Sequence, residues 1–189
     1  MKSAGILKSD GCPLIKINMN KKLDIYLVAK YPKIFVNRYD NMKKTAMCWG
    51  FEHGDGWFWL LDQLCDSIQN YVDINNKYRS EEVKKIPQVI ATQVKEKFGT
   101  LNFYSQGGDE YTRGMIRLAE DMSANICEFC GSTINVGRTS GWISTVCKDC
   151  YDNSPEKFSN RIWKENENNV TEEISKELRK IKIDKLNSI

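Results

Sequence analysis

Four of the seven cysteines form two CxxC pairs, Cys127/Cys130 and Cys147/Cys150, with sixteen residues between the pairs. Two residues between cysteines let both thiolates reach one ion, and two such knuckles complete the tetrahedral set of four sulfurs that Zn²⁺ prefers. Gly131 supplies the sharp turn after the first pair, and the intervening residues have the pattern of a short hairpin. This layout predicts a zinc ribbon with one structural Zn²⁺. Because four thiolates fill its coordination sphere, the metal has no open position for chemistry.

Two other uses of the cysteine pairs are less consistent with the sequence. A redox CxxC belongs at a helix N-terminus in a thioredoxin-like βαβ unit, and the sequence shows no such unit. An iron–sulfur cluster also takes four cysteines, but the knuckle–hairpin–knuckle layout favours zinc. The remaining cysteines, Cys12, Cys48 and Cys65, are isolated. We therefore expect a metal site in a reducing compartment rather than a disulfide scaffold.

A second candidate site surrounds His53, the only histidine, which Glu52 and Asp55 flank in a segment with three glycines. Two carboxylates and an imidazole are suited to acid–base catalysis, so an enzyme using these residues is one hypothesis. A structural interpretation accounts for the same residues: the glycines shape a loop and Asp55 caps the following helix. The structural interpretation is favoured, and no catalytic residue is assigned.

A third candidate is a basic and aromatic surface formed by Lys95, Lys97 and Tyr104, with Trp142 of the ribbon. Such a surface binds phosphate through its lysines and stacks a base on its aromatic rings. It predicts nucleic-acid or nucleotide binding. The alternative is a solvated hairpin face on which Glu96 partly neutralises the two lysines.

The elements that position these residues are readable from the apolar pattern. Steps of three and four predict a clear helix over 57–72, and a shorter helix is expected over 24–29. Alternation predicts strands over 88–97 and 100–105, joined by a Phe98-Gly99 turn. Asp109 is placed to cap the next helix, which carries Tyr111, Met115, Leu118 and Met122 on one face. A last stripe, formed by Val170, Ile174, Leu178 and Ile181, predicts a helix near the C-terminus.

These elements divide the chain into four segments. Residues 1–22 are a basic N-terminal arm, 23–126 an α+β body, 127–151 the zinc ribbon, and 152–189 a charged helical tail. The predicted fold class is α+β: a small body of helices and a β-hairpin, with a zinc ribbon and a C-terminal helical extension.

Composition limits the function classes. The 189 residues carry a net charge of +3, and 41% of them are hydrophobic, which excludes wholesale disorder. The first 44 residues hold ten basic and three acidic side chains, whereas residues 45–76 hold five acidic and no Lys or Arg. The longest apolar run, 57–61, is too short to cross a bilayer. The N-terminus lacks the pattern of a signal peptide. We therefore expect a cytoplasmic protein without a membrane partner.

Three blocks of this sequence resemble, in order, motifs of a family of small phage and prophage proteins. The first is WGFEHGDGW and its preceding cysteine (48–57), and the second is ATQVKEKFGTL (91–101), followed by Phe103 and Tyr104. The third combines CEFCG (127–131) with Gly141, Trp142 and the second CxxC pair. This sequence departs from the family pattern at His53, where many relatives have Cys, and at Asn102, where Arg is expected. An anion contact by an arginine at position 102 is therefore not carried over.

The resemblance implies an origin more than a mechanism. It implies an accessory protein of a phage or mobile element, made in the bacterial cytoplasm. Proteins of that kind often bind and block host factors. The leading functional expectation is therefore a protein that docks on a host protein or ribonucleoprotein, such as a CRISPR-type defence nuclease complex, and inhibits it.

Overall fold

The computed structural model describes residues 18–166. Most of the predicted basic arm and the stripe from Val170 to Ile181 lie outside the described residues. Residues 18–166 form helices and two three-stranded sheets, so the α+β prediction is confirmed. Within this range, none of the helices combines the length and the apolar character needed to cross a membrane.

Two helices precede the main hairpin. Helix α1 (Lys21–Lys30) begins after Asn20, whose side chain accepts a hydrogen bond from the Lys22 N–H. Helix α2 (Phe58–Tyr78) covers the helix predicted over 57–72 and follows a 3₁₀ turn at Asp55–Trp57. The side chain of Asp24 in α1 pairs with Arg38, and both are largely buried. This ion pair ties α1 to the loop that leads to the first sheet.

The first sheet has the order β1-β2-β3: β1 (Phe51–Glu52), β2 (Ile90–Lys97) and β3 (Thr100–Gln106). Strand β1 runs parallel to β2, and β2 pairs antiparallel with β3. Phe98 and Gly99 both have left-handed backbone angles, with φ of 53° and 79°. Positive φ at both central residues gives the two-residue turn whose twist matches a hairpin. The predicted hairpin and turn are confirmed.

Helix α3 (Glu110–Ser123) lies beside β3 and begins with the predicted cap. The Asp109 side chain and Thr112 form a reciprocal capping box. At the other end, Ser123 Oγ accepts from the Leu101 N–H at 2.8 Å, and Glu120 Oε1 accepts from the Phe103 N–H at 2.8 Å. These acceptors satisfy N–H groups at the outer edge of β3, beside which residues 18–166 place no further strand.

The side of α3 that packs on the body differs from its most apolar side. Its buried residues are Thr112, Ile116, Ala119 and Ser123. The face that the sequence marks as apolar contains Tyr111, Leu118 and Met122, and these three side chains are exposed. Proximity to the β3 edge explains the difference, because that edge requires small and polar neighbours that can accept its N–H groups.

The ribbon contains the second sheet, ordered β5-β4-β6, with β4 (Val136–Thr139), β5 (Thr145–Cys147) and β6 (Trp163–Glu165). Both pairs are antiparallel, and the short helix α4 (Lys148–Asp152) follows β5. The sequence predicts a tail that starts at residue 152, whereas β6 at 163–165 pairs with β4 in the ribbon sheet. The ribbon core comprises Cys127, Val136, Val146, Cys147 and Phe158.

Candidate metal centre

The four cysteines of the two CxxC pairs converge at one point. Their Sγ atoms all lie within 4.8 Å of one another. Cys130 Sγ and Cys147 Sγ, from different pairs, are 3.6 Å apart. A tetrahedral zinc with bonds of about 2.3 Å separates its sulfurs by about 3.8 Å. The cluster is therefore consistent with a metal site, and its donor set is that of a structural zinc centre.

Local backbone geometry shapes both knuckles. Cys147 ends β5 and Cys150 lies in α4, and the Cys150 N–H donates to Cys147 Sγ at 3.4 Å. In the first knuckle the Gly131 N–H donates to the Cys127 carbonyl at 2.9 Å, and Gly131 has a φ of +78°. Burial raises the pKa of the Cys127 thiol. Metal binding must therefore displace a proton there, which couples metal affinity to pH.

The first knuckle rests on residues 50–57, which we name the glycine loop. The Gly56 N–H donates to the Glu128 carbonyl at 2.8 Å, and the Gly54 N–H donates to Glu128 Oε1 at 3.1 Å. Next to them, Trp57 Nε1 donates to the Ile126 carbonyl at 2.9 Å. A Cβ atom at position 56 would lie 2.1 Å from the Cys127 carbonyl oxygen. Glycine is therefore required at position 56 by the close approach of the two backbones.

Glu128 belongs to this contact and is not among the site residues predicted from the sequence. It is 1% exposed, and burial raises the pKa of its carboxyl to about 7. Its position between Cys127 and Cys130 indicates a role, because a carboxylate next to a cluster of thiolates needs a hydrogen-bond donor to stabilise its charge. The Gly54 N–H is that donor.

A second contact joins the ribbon to the turn of the main hairpin. Thr145 Oγ1 donates to the Gly99 carbonyl at 2.5 Å, and Arg138 Nη2 donates to the Phe98 carbonyl at 3.2 Å. A Cβ atom at Gly99 would lie 2.9 Å from Ile143 Cγ2. The ribbon is thus held against the body both at the glycine loop and at the Phe98-Gly99 turn.

His53 lies in the interior of the body. It is fully buried between the rings of Phe51 and Trp57, and its Nδ1 lies 2.8 Å from the Gly54 carbonyl oxygen. Burial lowers the pKa of the imidazole to about 4, because the charged form loses its hydration. Its Nε2 has no hydrogen-bond partner among the described residues. A neutral, sealed imidazole is unsuited to act as the acid or base of an exposed site.

Asp55 has a different role from the predicted one. Helix α2 has Trp57 as its N-cap residue, without a side-chain cap. The Asp55 carboxylate instead accepts from the Asn20 N–H at 2.6 Å, where it links the glycine loop to the start of α1. The prediction that Asp55 caps α2 is therefore wrong. With Asp55 at the surface and His53 in the core, the structure does not assemble these two residues and Glu52 into a common catalytic site.

The predicted basic and aromatic residues of the hairpin share one face. Tyr104 pairs with Gln93, and Lys95 pairs with Asn102, so strand alternation places Tyr104, Lys95 and Lys97 on the same side. The Lys95 ammonium lies 5.4 Å from the Tyr104 ring centroid. Glu96 points to the other side, where its carboxylate accepts from the Gly99 N–H at 2.6 Å. It therefore satisfies the turn rather than neutralising the lysines.

The fourth predicted residue, Trp142, belongs to the ribbon. It is exposed in the loop between β4 and β5, and the adjacent Ile143 contacts the hairpin turn at Gly99. Phe98, at the tip of the turn, is also exposed and has the Lys97 ammonium 5.4 Å from its ring centroid. We name the set Lys95, Lys97, Phe98, Tyr104 and Trp142 the hairpin–ribbon surface.

The three sequence blocks thus meet in space: the glycine loop supports the first knuckle, and the hairpin turn supports the ribbon strands. No protein-family model, curated protein or solved structure matches this chain. Membership of the phage and prophage family therefore stays a prediction that rests on the sequence blocks.

Proposed function

We propose that this chain is a zinc-stabilised binding protein of a phage or mobile element. In this proposal it docks on a host protein or ribonucleoprotein, such as a CRISPR-type defence nuclease complex, and inhibits it. One Zn²⁺ bound by Cys127, Cys130, Cys147 and Cys150 holds the ribbon against the body. The proposal combines the expected origin with the surface that the fold exposes.

The observation that carries the proposal is the hairpin–ribbon surface. Phe98 and Trp142 are 70% and 57% exposed, and neither Lys95 nor Lys97 forms an ion pair with a described residue. Exposed large aromatic side chains in the same region as lysines are typical of contact sites for acidic partners. The hairpin turn and the ribbon that carry these residues are hydrogen-bonded to each other.

The buried position of His53 favours binding over catalysis. An enzyme based on Glu52, His53 and Asp55 needs an imidazole that substrate can reach, and His53 is fully buried. The metal proposal adds no catalytic centre, because four thiolates leave zinc without an open position.

A matched pair of double variants tests the proposed surface. Lys95→Ala/Tyr104→Ala removes a lysine–aromatic pair from the hairpin–ribbon surface. Lys77→Ala/Tyr78→Ala removes a similar pair, with the ammonium 5.2 Å from the ring centroid, from the end of α2. Affinity capture from host lysate, followed by titration of the purified partner, should show at least a tenfold loss of affinity for the first variant alone. Equal affinities of both variants would refute the assigned surface.

Direct nucleic-acid binding is the second candidate function, favoured by the stacked arrangement of Lys95 over Tyr104. Binding to random single-stranded oligonucleotides would weaken steeply with salt, because neutralised phosphates release counterions. Lys95→Ala should reduce the slope of log affinity against log salt concentration by about 1. If partner capture survives nuclease treatment and the chain does not bind oligonucleotides, the partner is a protein. If nuclease treatment abolishes capture and the chain binds oligonucleotides, the partner is a nucleic acid.

A further inference from the structure

Helix α3 has an apolar side of which three of four residues are exposed, while the fourth, Met115, is partly buried against the core. We name Tyr111, Met115, Leu118 and Met122 the α3 stripe. Tyr111 and Leu118 are each 61% exposed and Met122 is 45% exposed. Their spacing of four, three and four residues puts them on one face over about 17 Å. A surface helix normally turns such a face inward.

The stripe adjoins the side of α3 that already packs on the body and shares Met115 with it. That side contributes Ile116 and Ala119 to the core and presents Ser123 and Glu120 to the β3 edge. At the N-terminal end of the stripe, Tyr71 of α2 stacks on Tyr111 with ring centroids 4.6 Å apart. Helix α2 therefore contacts the stripe at this end, and Leu118 and Met122 stay exposed beyond it.

The last described residue lies near the C-terminal end of the stripe. After β6, the Asn166 N–H donates to the Val136 carbonyl at 3.2 Å. The Asn166 side-chain amide donates to the carbonyl of Ala124, the C-cap residue of α3, at 2.8 Å. Asn166 thus contacts Ala124, which lies two residues beyond Met122 at the C-terminal end of the stripe.

The sequence that follows has a matching pattern. Val170, Ile174, Leu178 and Ile181 are spaced four, four and three residues apart. As a helix they would form a stripe of about 17 Å, the length of the α3 stripe. An isolated helix of this length is marginal in water, so it requires an apolar surface to pack against.

We propose that residues 170–181 dock as a helix on the α3 stripe, antiparallel to α3. Residues 167–169 make the turn, Val170 lies beside Met122, and Ile181 lies beside Tyr111. This direction brings Lys182 towards the exposed carboxylate of Glu110, which also pairs with Arg113. The docked segment completes a three-helix layer with α2 and α3, and the assignment does not depend on the proposed function.

Hydrogen exchange measured by mass spectrometry on the full zinc-loaded chain tests this docking. The amides of 174–181 should exchange at least tenfold more slowly than in a synthetic peptide of residues 167–189. Leu118→Asp should abolish that protection, because it places a charge in the centre of the α3 stripe. Arg117→Asp introduces the same residue on another side of α3 and should leave the protection of 174–181 intact. Unchanged exchange in β2 and β3 confirms that each variant is folded.

Three results would overturn the proposal. Exchange at the peptide rate in the full chain would show that the segment does not dock on its own body. Protection that rises with protein concentration, together with a dimer in light scattering, would assign the stripe to a second copy. Protection that survives Leu118→Asp in a folded chain would place the segment on another surface.

Discussion

The contact between the glycine loop and the first knuckle makes a sharp prediction for Gly56→Ala. The added methyl group would lie 2.1 Å from the Cys127 carbonyl oxygen and 2.5 Å from the Gly131 nitrogen. Both atoms belong to the backbone of the metal knuckle, so no side chain can move aside. The loop and the knuckle must separate to admit the methyl group.

Three hydrogen bonds cross this contact, from Gly54, Gly56 and Trp57 to the knuckle and the residue before it. A hydrogen bond of this kind contributes about 1 kcal/mol. Losing all three lowers the free energy of unfolding by about 3 kcal/mol. Metal affinity should fall as well, because the loop positions the backbone of two ligands.

Gly114→Ala is the matched control. A Cβ atom at Gly114, in the exposed middle of α3, meets nothing within 4 Å. The same substitution should therefore raise the free energy of unfolding by up to about 1 kcal/mol through helix propensity. Urea unfolding of the zinc-loaded protein, with zinc affinity from competition against a chromogenic chelator, measures both effects. A Gly56→Ala protein with the stability and zinc affinity of the parent would refute the reasoning.

Further predictions concern the metal, the buried imidazole and Asp55. Elemental analysis should find one zinc per chain, and Cys147→Ser should lose it along with several kcal/mol of stability, because metal binding is linked to folding. A folded, metal-free parent would contradict this. Folding lowers the pKa of His53 from its ordinary value of 6.5 to about 4. Between pH 6.5 and 4 the unfolded state therefore binds a proton at His53 that the folded state does not. The free energy of unfolding should therefore fall by about 3 kcal/mol between pH 6.5 and 4. His53→Asn should remove this part of the pH dependence in parallel urea titrations, and an unchanged slope would show that other groups cause it. Asp55→Asn keeps the acceptor for the Asn20 N–H and should be nearly silent, whereas Asp55→Ala should cost about 1 kcal/mol in the same assay. Equal losses in both variants would show that the charge, not the hydrogen bond, matters.

The sequence by itself determined the features that depend on local spacing. The two CxxC pairs predict the clustered cysteines, because two intervening residues and a turning glycine bring two thiolates together wherever the knuckle lies in the fold. Phe98-Gly99 predicts the hairpin turn, and Asp109 predicts the start of α3, since a turn and a cap each involve residues within three positions of one another.

Only the tertiary structure decided which surfaces meet. The apolar spacing of α3 identifies the stripe but not the buried side, because the outer edge of β3 requires acceptors and takes Glu120 and Ser123 instead. Asp55 has the sequence context of a helix cap, yet its carboxylate binds the Asn20 N–H, 35 residues away in sequence. Glu128 pairs with Gly54 across 74 residues. Burial and long-range hydrogen bonds depend on which elements pack together, and local spacing carries no information about that choice.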